Sequence, residues 1–183
     1  MSVTTKQIQE MNIKTLKHIE TVSLYINKII KMLKKRALNH DKSKLESPEA
    51  EIFAKFTPML ANSTYDSDEY KQFLINMKSA LDHHYANNRH HPEHFKIWVC
   101  RHCQSKYDEK PEKCSFCSID DFYEDFDISK MNIIDLVEML CDWKAAVERH
   151  NDGNIDKSLQ INIKRFNISD QLAAILKNSL HIF

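Results

Sequence analysis

Residues 5–38 read TKQIQEMNIKTLKHIETVSLYINKIIKMLKKRAL, a run with neither glycine nor proline. Within it Met11, His18, Val22, Tyr25 and Ile29 recur at steps of three, four or seven, the spacing of one helix face. The stretch predicts one long helix, with His18 on its apolar side and away from its lysines. The pattern breaks in NHDKSKLESP, residues 39–48, where Ser47 and Pro48 predict the N-cap and first position of a short helix. In DSDEYKQFLINMKSALDHHY, residues 66–85, Asp66 and Glu69 have capping-box spacing. Phe73, Met77, Leu81 and His84 then share a face, so His84 is expected to point inward.

Residues 130–150, KMNIIDLVEMLCDWKAAVERH, predict a further helix with Asn132 as N-cap. Asp135, Glu138 and Asp142 line one side of it, and Cys141 falls with Val137 and Leu140 as an expected buried residue. After the NDGN turn, DKSLQINIKRF and SDQLAAILKNSL read as two shorter helices, the second capped by Ser169. No alternating strand pattern stands out beyond the cysteine region. The expected fold class is all-α.

At 183 residues, 42% of them apolar, the chain suits one domain with a small insertion. No run of about eighteen apolar residues occurs, and the start has no signal-peptide layout, so no membrane partner and a cytoplasmic location are expected. Lys plus Arg balance Asp plus Glu at 26 each. A general polyanion binder would need a basic excess. Gly153 is the only glycine, which excludes glycine-rich phosphate loops. A phosphate here must be held by metal, side chains or a helix N-terminus.

Residues 100–117, CRHCQSKYDEKPEKCSFC, place Cys100 and Cys103 in one CxxC and Cys114 and Cys117 in another. Two such knuckles present four thiolates tetrahedrally, the preference of structural Zn²⁺. A reducing compartment argues against disulfides, and the second CxxC against a lone redox motif. The ribbon, residues 99–118, is therefore expected as an insertion into a helical domain of residues 1–98 and 119–183. His102 is read as a solvated passenger, because four cysteines already complete the site.

Outside the ribbon the chain offers His18, the pair His40-Asp41, the pairs His83-His84 and His90-His91, and then Asp142. This order resembles the HD-domain superfamily of metal-dependent phosphohydrolases. HDKSK is similar to that superfamily's HD-x-GK, with serine for glycine and Lys44 retained, and DWKAA resembles the region of its final aspartate. HHYANNRHHP sits where the HD-GYP branch has a double histidine. The glycines of that signature are replaced by Asn87 and Asn88, so cyclic-dinucleotide specificity is not carried over. More closely, the chain resembles an uncharacterised family found in phages and bacteria. That likeness rests on HDxSK, NxHHPEH, DLxEMLxDWKA and RHxDG…KS…N…RF, all present here.

The resemblance implies an HD-domain-like helical bundle and a core site for one or two divalent metals (Mn, Fe, Ni, Co, Mg or Zn). Its expected ligands are His18, His40, Asp41, His84, His91 and Asp142. His84 is preferred to His83 for its inward face; His91, before Pro92, is preferred to His90 and His94. Lys44 is expected to contact phosphate and Glu138 to assist proton transfer, with Arg149 binding substrate. Plainer roles compete: His18 as a core histidine, His40-Asp41 as a helix-closing turn, Asp135 as a cap.

The expected function is a metal-dependent phosphohydrolase acting on a small phosphorylated substrate, most plausibly a nucleotide. The alternative is a zinc-ribbon adaptor, phage-encoded and host-directed, that docks a protein or nucleic acid above a structural or degenerate core. A third reading is a di-iron oxygenase on an HD-like scaffold.

Overall fold

The computed structural model describes residues 2–63, 67–148 and 153–183. The chain forms two compact units, Met1–Asn39 and His40–Phe183. The first is the single helix α1, Thr5–Asn39. Thr4 and Gln7 start it reciprocally. The Gln7 amide donates to Thr4 Oγ1 at 3.3 Å, and the Thr4 amide donates to Gln7 Oε1 at 2.9 Å. Asn39 closes it by donating from its side chain to the Lys35 carbonyl at 2.8 Å.

The second unit is mostly helical around a small sheet. Its helices are α2 (Glu49–Asn62), α3 (Asp68–Asn76), α4 (Lys78–Asn87), α5 (Ile133–Val147), α6 (Ile155–Arg165) and α7 (Asp170–Ser179). Pro48, not Ser47, is the N-cap of α2, and its side chain makes no cap bond. The Glu46 carbonyl takes that role instead, accepting from the amides of Glu49 and Ala50. The helix expected over 66–85 is broken at Met77, which is 1% exposed. Ser67 caps α3 by accepting from the Tyr70 amide at 3.1 Å; Asp66 lies outside the described residues. Ser169 caps α7 as expected.

Three antiparallel strands, β1 (Lys96–Cys100), β2 (Lys106–Tyr107) and β3 (Phe122–Phe126), order as β2-β1-β3. The sheet extends on both sides of residues 99–118, so strand structure does reach beyond the cysteine region. The signal in FYEDF was weak because all its side chains are half-buried or exposed. Ile97, Val99 and Cys100 of β1 are buried.

The main core joins α5, α6 and α7 to the sheet's base. Phe95, Met139, Leu140, Trp143, Leu159, Phe166 and Leu176 form one cluster, and Trp143 stacks on Phe166 with ring centroids 6.3 Å apart. Met139, Leu140 and Trp143 are thus the buried stripe of α5. Cys141 is exposed, against the expectation: its row, Ile133 and Val137, faces outward. A cysteine one residue from a core leucine is turned about 100° from it.

Asn132 and Asp135 make a complete capping box at the start of α5, the helix that carries Glu138 and Asp142. Asn132→Ala removes acceptors for two amides and is expected to lower unfolding stability by about 1 kcal/mol. A denaturant midpoint equal to wild type would show that the box contributes nothing.

Candidate metal centre

Asp41 lies two residues past the end of α1 and has left-handed backbone angles, φ 54° and ψ 17°. Aspartate tolerates that region better than most residues, yet such strain persists only where surroundings enforce it. The 3-10 turn Lys42–Leu45 enforces it here, the Lys44 amide donating to the Asp41 carbonyl at 2.9 Å. The Asp41 carboxylate is thereby aimed inward.

Imidazoles converge on it from two segments. His84 comes from α4, and His90 and His91 from the irregular turn between α4 and β1. Asp41 Oδ1 lies 3.4 Å from His84 Nε2 and 3.4 Å from His90 Nε2. His84 Nε2 and His91 Nε2 face each other at 2.8 Å. On the other side His40 Nε2 lies 3.7 Å from Asp41 Oδ2 and 3.5 Å from Asp142 Oδ1 of α5. Two overlapping donor sets result, Asp41-His84-His90-His91 and His40-Asp41-His90-Asp142, each with its ligand atoms within 4.8 Å of one another.

Asp41 Oδ1 and His90 Nε2 are buried without a hydrogen-bond partner among the described residues. A buried polar atom left unpaired is costly, and two that lie 3.4 Å apart call for an ion or a water to satisfy them. Imidazole nitrogens and carboxylate oxygens suit Zn²⁺, Mn²⁺, Fe²⁺, Co²⁺ or Ni²⁺. The donors fit such an ion.

Two further carboxylates set which nitrogen each ring offers. Glu49, fully buried at the start of α2, lies 2.8 Å from His84 Nδ1 and 2.7 Å from His83 Nδ1. Glu138 Oε1 lies 3.0 Å from His40 Nδ1 and 3.3 Å from His90 Nδ1. An ionised carboxylate only accepts, so it places the proton on Nδ1 and leaves Nε2 turned to the centre. His83 is held by Glu49 outside the donor sets. His94 Nδ1 donates to the Tyr85 carbonyl at 2.7 Å. Asp135, besides capping α5, pairs with Arg89 at 3.1 Å.

Burial opposes ionisation of Asp41, but the nearby His90 ring and the Lys44 ammonium bonded to Oδ2 outweigh it and hold the carboxyl well below its usual range. Burial drives His91 down to about 3, reinforced by His90 and His84. His84 is also lowered, by burial and then by the Lys44 charge. Both are neutral, lone pairs available, near pH 7. His40 is raised to about 9, chiefly by its hydrogen bond to Asp142 and, against burial, by Glu138.

The expected ligands His40, Asp41, His84, His91 and Asp142 are thus brought together. His90, not chosen from the sequence, joins them. His18 lies on α1, roughly 30 Å along the helix from Asn39, and both donor sets form within residues 40–183. Arg149 lies outside the described residues. Arg165 donates to Glu93 at 2.7 Å.

The four ribbon cysteines form a separate group. Cys100 and Cys117 sulfurs are 3.5 Å apart, Cys103 and Cys114 sulfurs 3.4 Å, close to the sulfur–sulfur distance of about 3.8 Å in a tetrahedral zinc thiolate site. Gln104 and Ser118 follow the two CxxC segments with φ 61° and 60°. Each turn closes alike: the Gln104 amide donates to the Cys100 carbonyl and the Ser118 amide to that of Cys114. His102 is exposed, as expected.

Fold and site together define a mostly helical protein with two groups of side chains able to hold a metal, one of nitrogen and oxygen, one of sulfur. The chain belongs to a family of unknown function, DUF5662, whose model matches residues 7–182. No curated protein and no solved structure matches it.

The histidine shifts give a pH signature for chelator-treated protein. His91 in the unfolded chain takes up a proton below about pH 6.5, whereas the folded group resists until about 3, so stability falls as pH drops through that window. The raised His40 has the opposite sign: its contribution is complete below about 6.5 and is lost as pH rises through about 9. Melting temperature is expected to decline on both sides of neutrality. A rise on acidification toward about pH 5 would contradict the buried, neutral state of His91.

Proposed function

We propose that this protein is a metal-dependent hydrolase of phosphate esters, with nucleotides as the substrate class suggested by the HD-like motif order. The observation that supports it most is the pair of buried, unpartnered donors, Asp41 Oδ1 and His90 Nε2, surrounded by His84 and His91. A divalent ion held there supplies Lewis acidity toward a phosphoryl oxygen and a bound water acidified toward neutral pH. With one glycine in the chain, metal-held phosphate is also the binding mode that composition favours.

The protein's own groups supply the rest. His84 and His90 are sealed at 2% and 1% side-chain exposure, whereas His40 and Lys44 keep 31% and 34%. Substrate therefore approaches from the His40–Lys44 side. The Lys44 ammonium faces that opening and is placed to neutralise a phosphate oxygen. His40, with a carboxylate at each nitrogen, holds a proton at Nε2 for a leaving oxygen. Glu138 anchors that ring through Nδ1 and supports the transfer.

Asp41→Ala is expected to abolish both the core metal and phosphatase turnover, a loss of at least 100-fold, while ribbon zinc is unchanged. Elemental analysis of anaerobically purified protein and a nucleotide phosphatase screen test this together. Retained turnover in the variant would sink the assignment.

A second reading, a ribbon that docks nucleic acid, is favoured by Phe116, 79% exposed between Cys114 and Cys117. An exposed ring at a knuckle tip is a stacking surface for an unpaired base. Phe116→Ser is expected to weaken binding of single-stranded oligonucleotides at least 5-fold with zinc retained; no binding by wild type would dispose of the idea.

A further inference from the structure

We propose that the core centre holds a single metal ion, and that the Lys44 ammonium occupies, as a built-in cation, the place a second ion would need. The inference rests on the metal-centre reading above and decides its stoichiometry.

The two donor sets share Asp41 and His90, so the question is how those two can be divided. His90 Nδ1 faces Glu138, which leaves one lone pair, on Nε2, and one lone pair serves one ion. That atom and Asp41 Oδ1 are the two buried side-chain atoms left unpartnered among the described residues, 3.4 Å apart, and His84 Nε2 is 3.4 Å from the same oxygen. They belong together, with His91, around one position.

The second set then keeps His40, Asp142 and Asp41 Oδ2. Oδ2 is already engaged: Lys44 Nζ donates to it at 2.6 Å. The lysine is not there by chance of a loose chain. Its backbone is fixed by the turn that begins at Asp41, and its ammonium lies 5.4 Å from the centre of the Phe53 ring, a favourable cation–π position. With Oδ2 and His90 removed, His40 and Asp142 alone remain. Two donors beside a fixed ammonium make a poor site for a divalent cation, which usually takes three or more protein ligands.

The test titrates Mn²⁺ into the chelator-treated full-length chain, counts bound Mn by elemental analysis and records its electron paramagnetic resonance. Mn²⁺ prefers oxygen and nitrogen to thiolate, so the count reports the core and not the ribbon. Wild type and Lys44→Arg are expected to bind a single Mn²⁺ with the spectrum of an isolated ion. Lys44→Met and Lys44→Gln are expected to take up a second ion and show an exchange-coupled pair. Two coupled ions in wild type would overturn the proposal. A single ion in all four proteins would remove Lys44 from the explanation. No Mn²⁺ in any of them, with ribbon zinc intact, would defeat the metal-centre reading itself.

Discussion

Everything at the centre depends on two carboxylates outside both donor sets, one fully buried and one largely so. Glu49 and Glu138 each hold the Nδ1 side of two imidazoles, and so decide where four rings point. Burying a carboxylate is costly unless it is paired and hydrogen-bonded. Here the cost is offset by charge-assisted bonds; Glu49 also accepts from Ser43 at 3.0 Å, and its acidity is enhanced despite burial. The reward is orientation: two Nε2 atoms, those of His84 and His90, meet the same Asp41 oxygen.

These anchors come from different parts of the second unit. Glu49 starts α2 and Glu138 lies in α5, while the rings come from α4, from the turn after it and from His40, the first residue past α1. The metal-ligating geometry is thus a tertiary property. It requires α5 to be seated through Met139, Leu140 and Trp143, and α2 to pack against α4.

Much of this was legible in the sequence, and the limits have physical causes. Helix periodicity located α1, α5, α6 and α7, and the caps Asn132 and Ser169 were readable because capping chemistry is local. Inward-facing His84 followed from its place on a face with Met77. His90 did not, because residues 88–95 follow no regular period and neighbouring side chains there have no assigned face. Its signal was tertiary, the Glu138 carboxylate awaiting a second ring. Glu49 carries no local signal either, since an acidic residue in a first helical turn is ordinary. Cys141 was misplaced because one residue of helix separates core from solvent, and both of its neighbours in the pattern were apolar. The four-cysteine spacing was the most informative local pattern, since knuckle turns are short enough for sequence distance to dictate spatial distance.

One connection has an evolutionary consequence. From His91 the chain passes through the turn Pro92–Phe95 and directly along β1 to Cys100, so an imidazole of one donor group and a cysteine sulfur of the other lie at two ends of one short turn-and-strand segment. Insertions or deletions within it would shift register in the sheet and turn every side chain of β1 to its opposite face. The loop from Asp108 to Lys113, exposed apart from half-buried Pro111, carries no such constraint. Relatives of this chain should therefore differ in length between the two knuckles, while the spacing from the second histidine to the first cysteine stays constant.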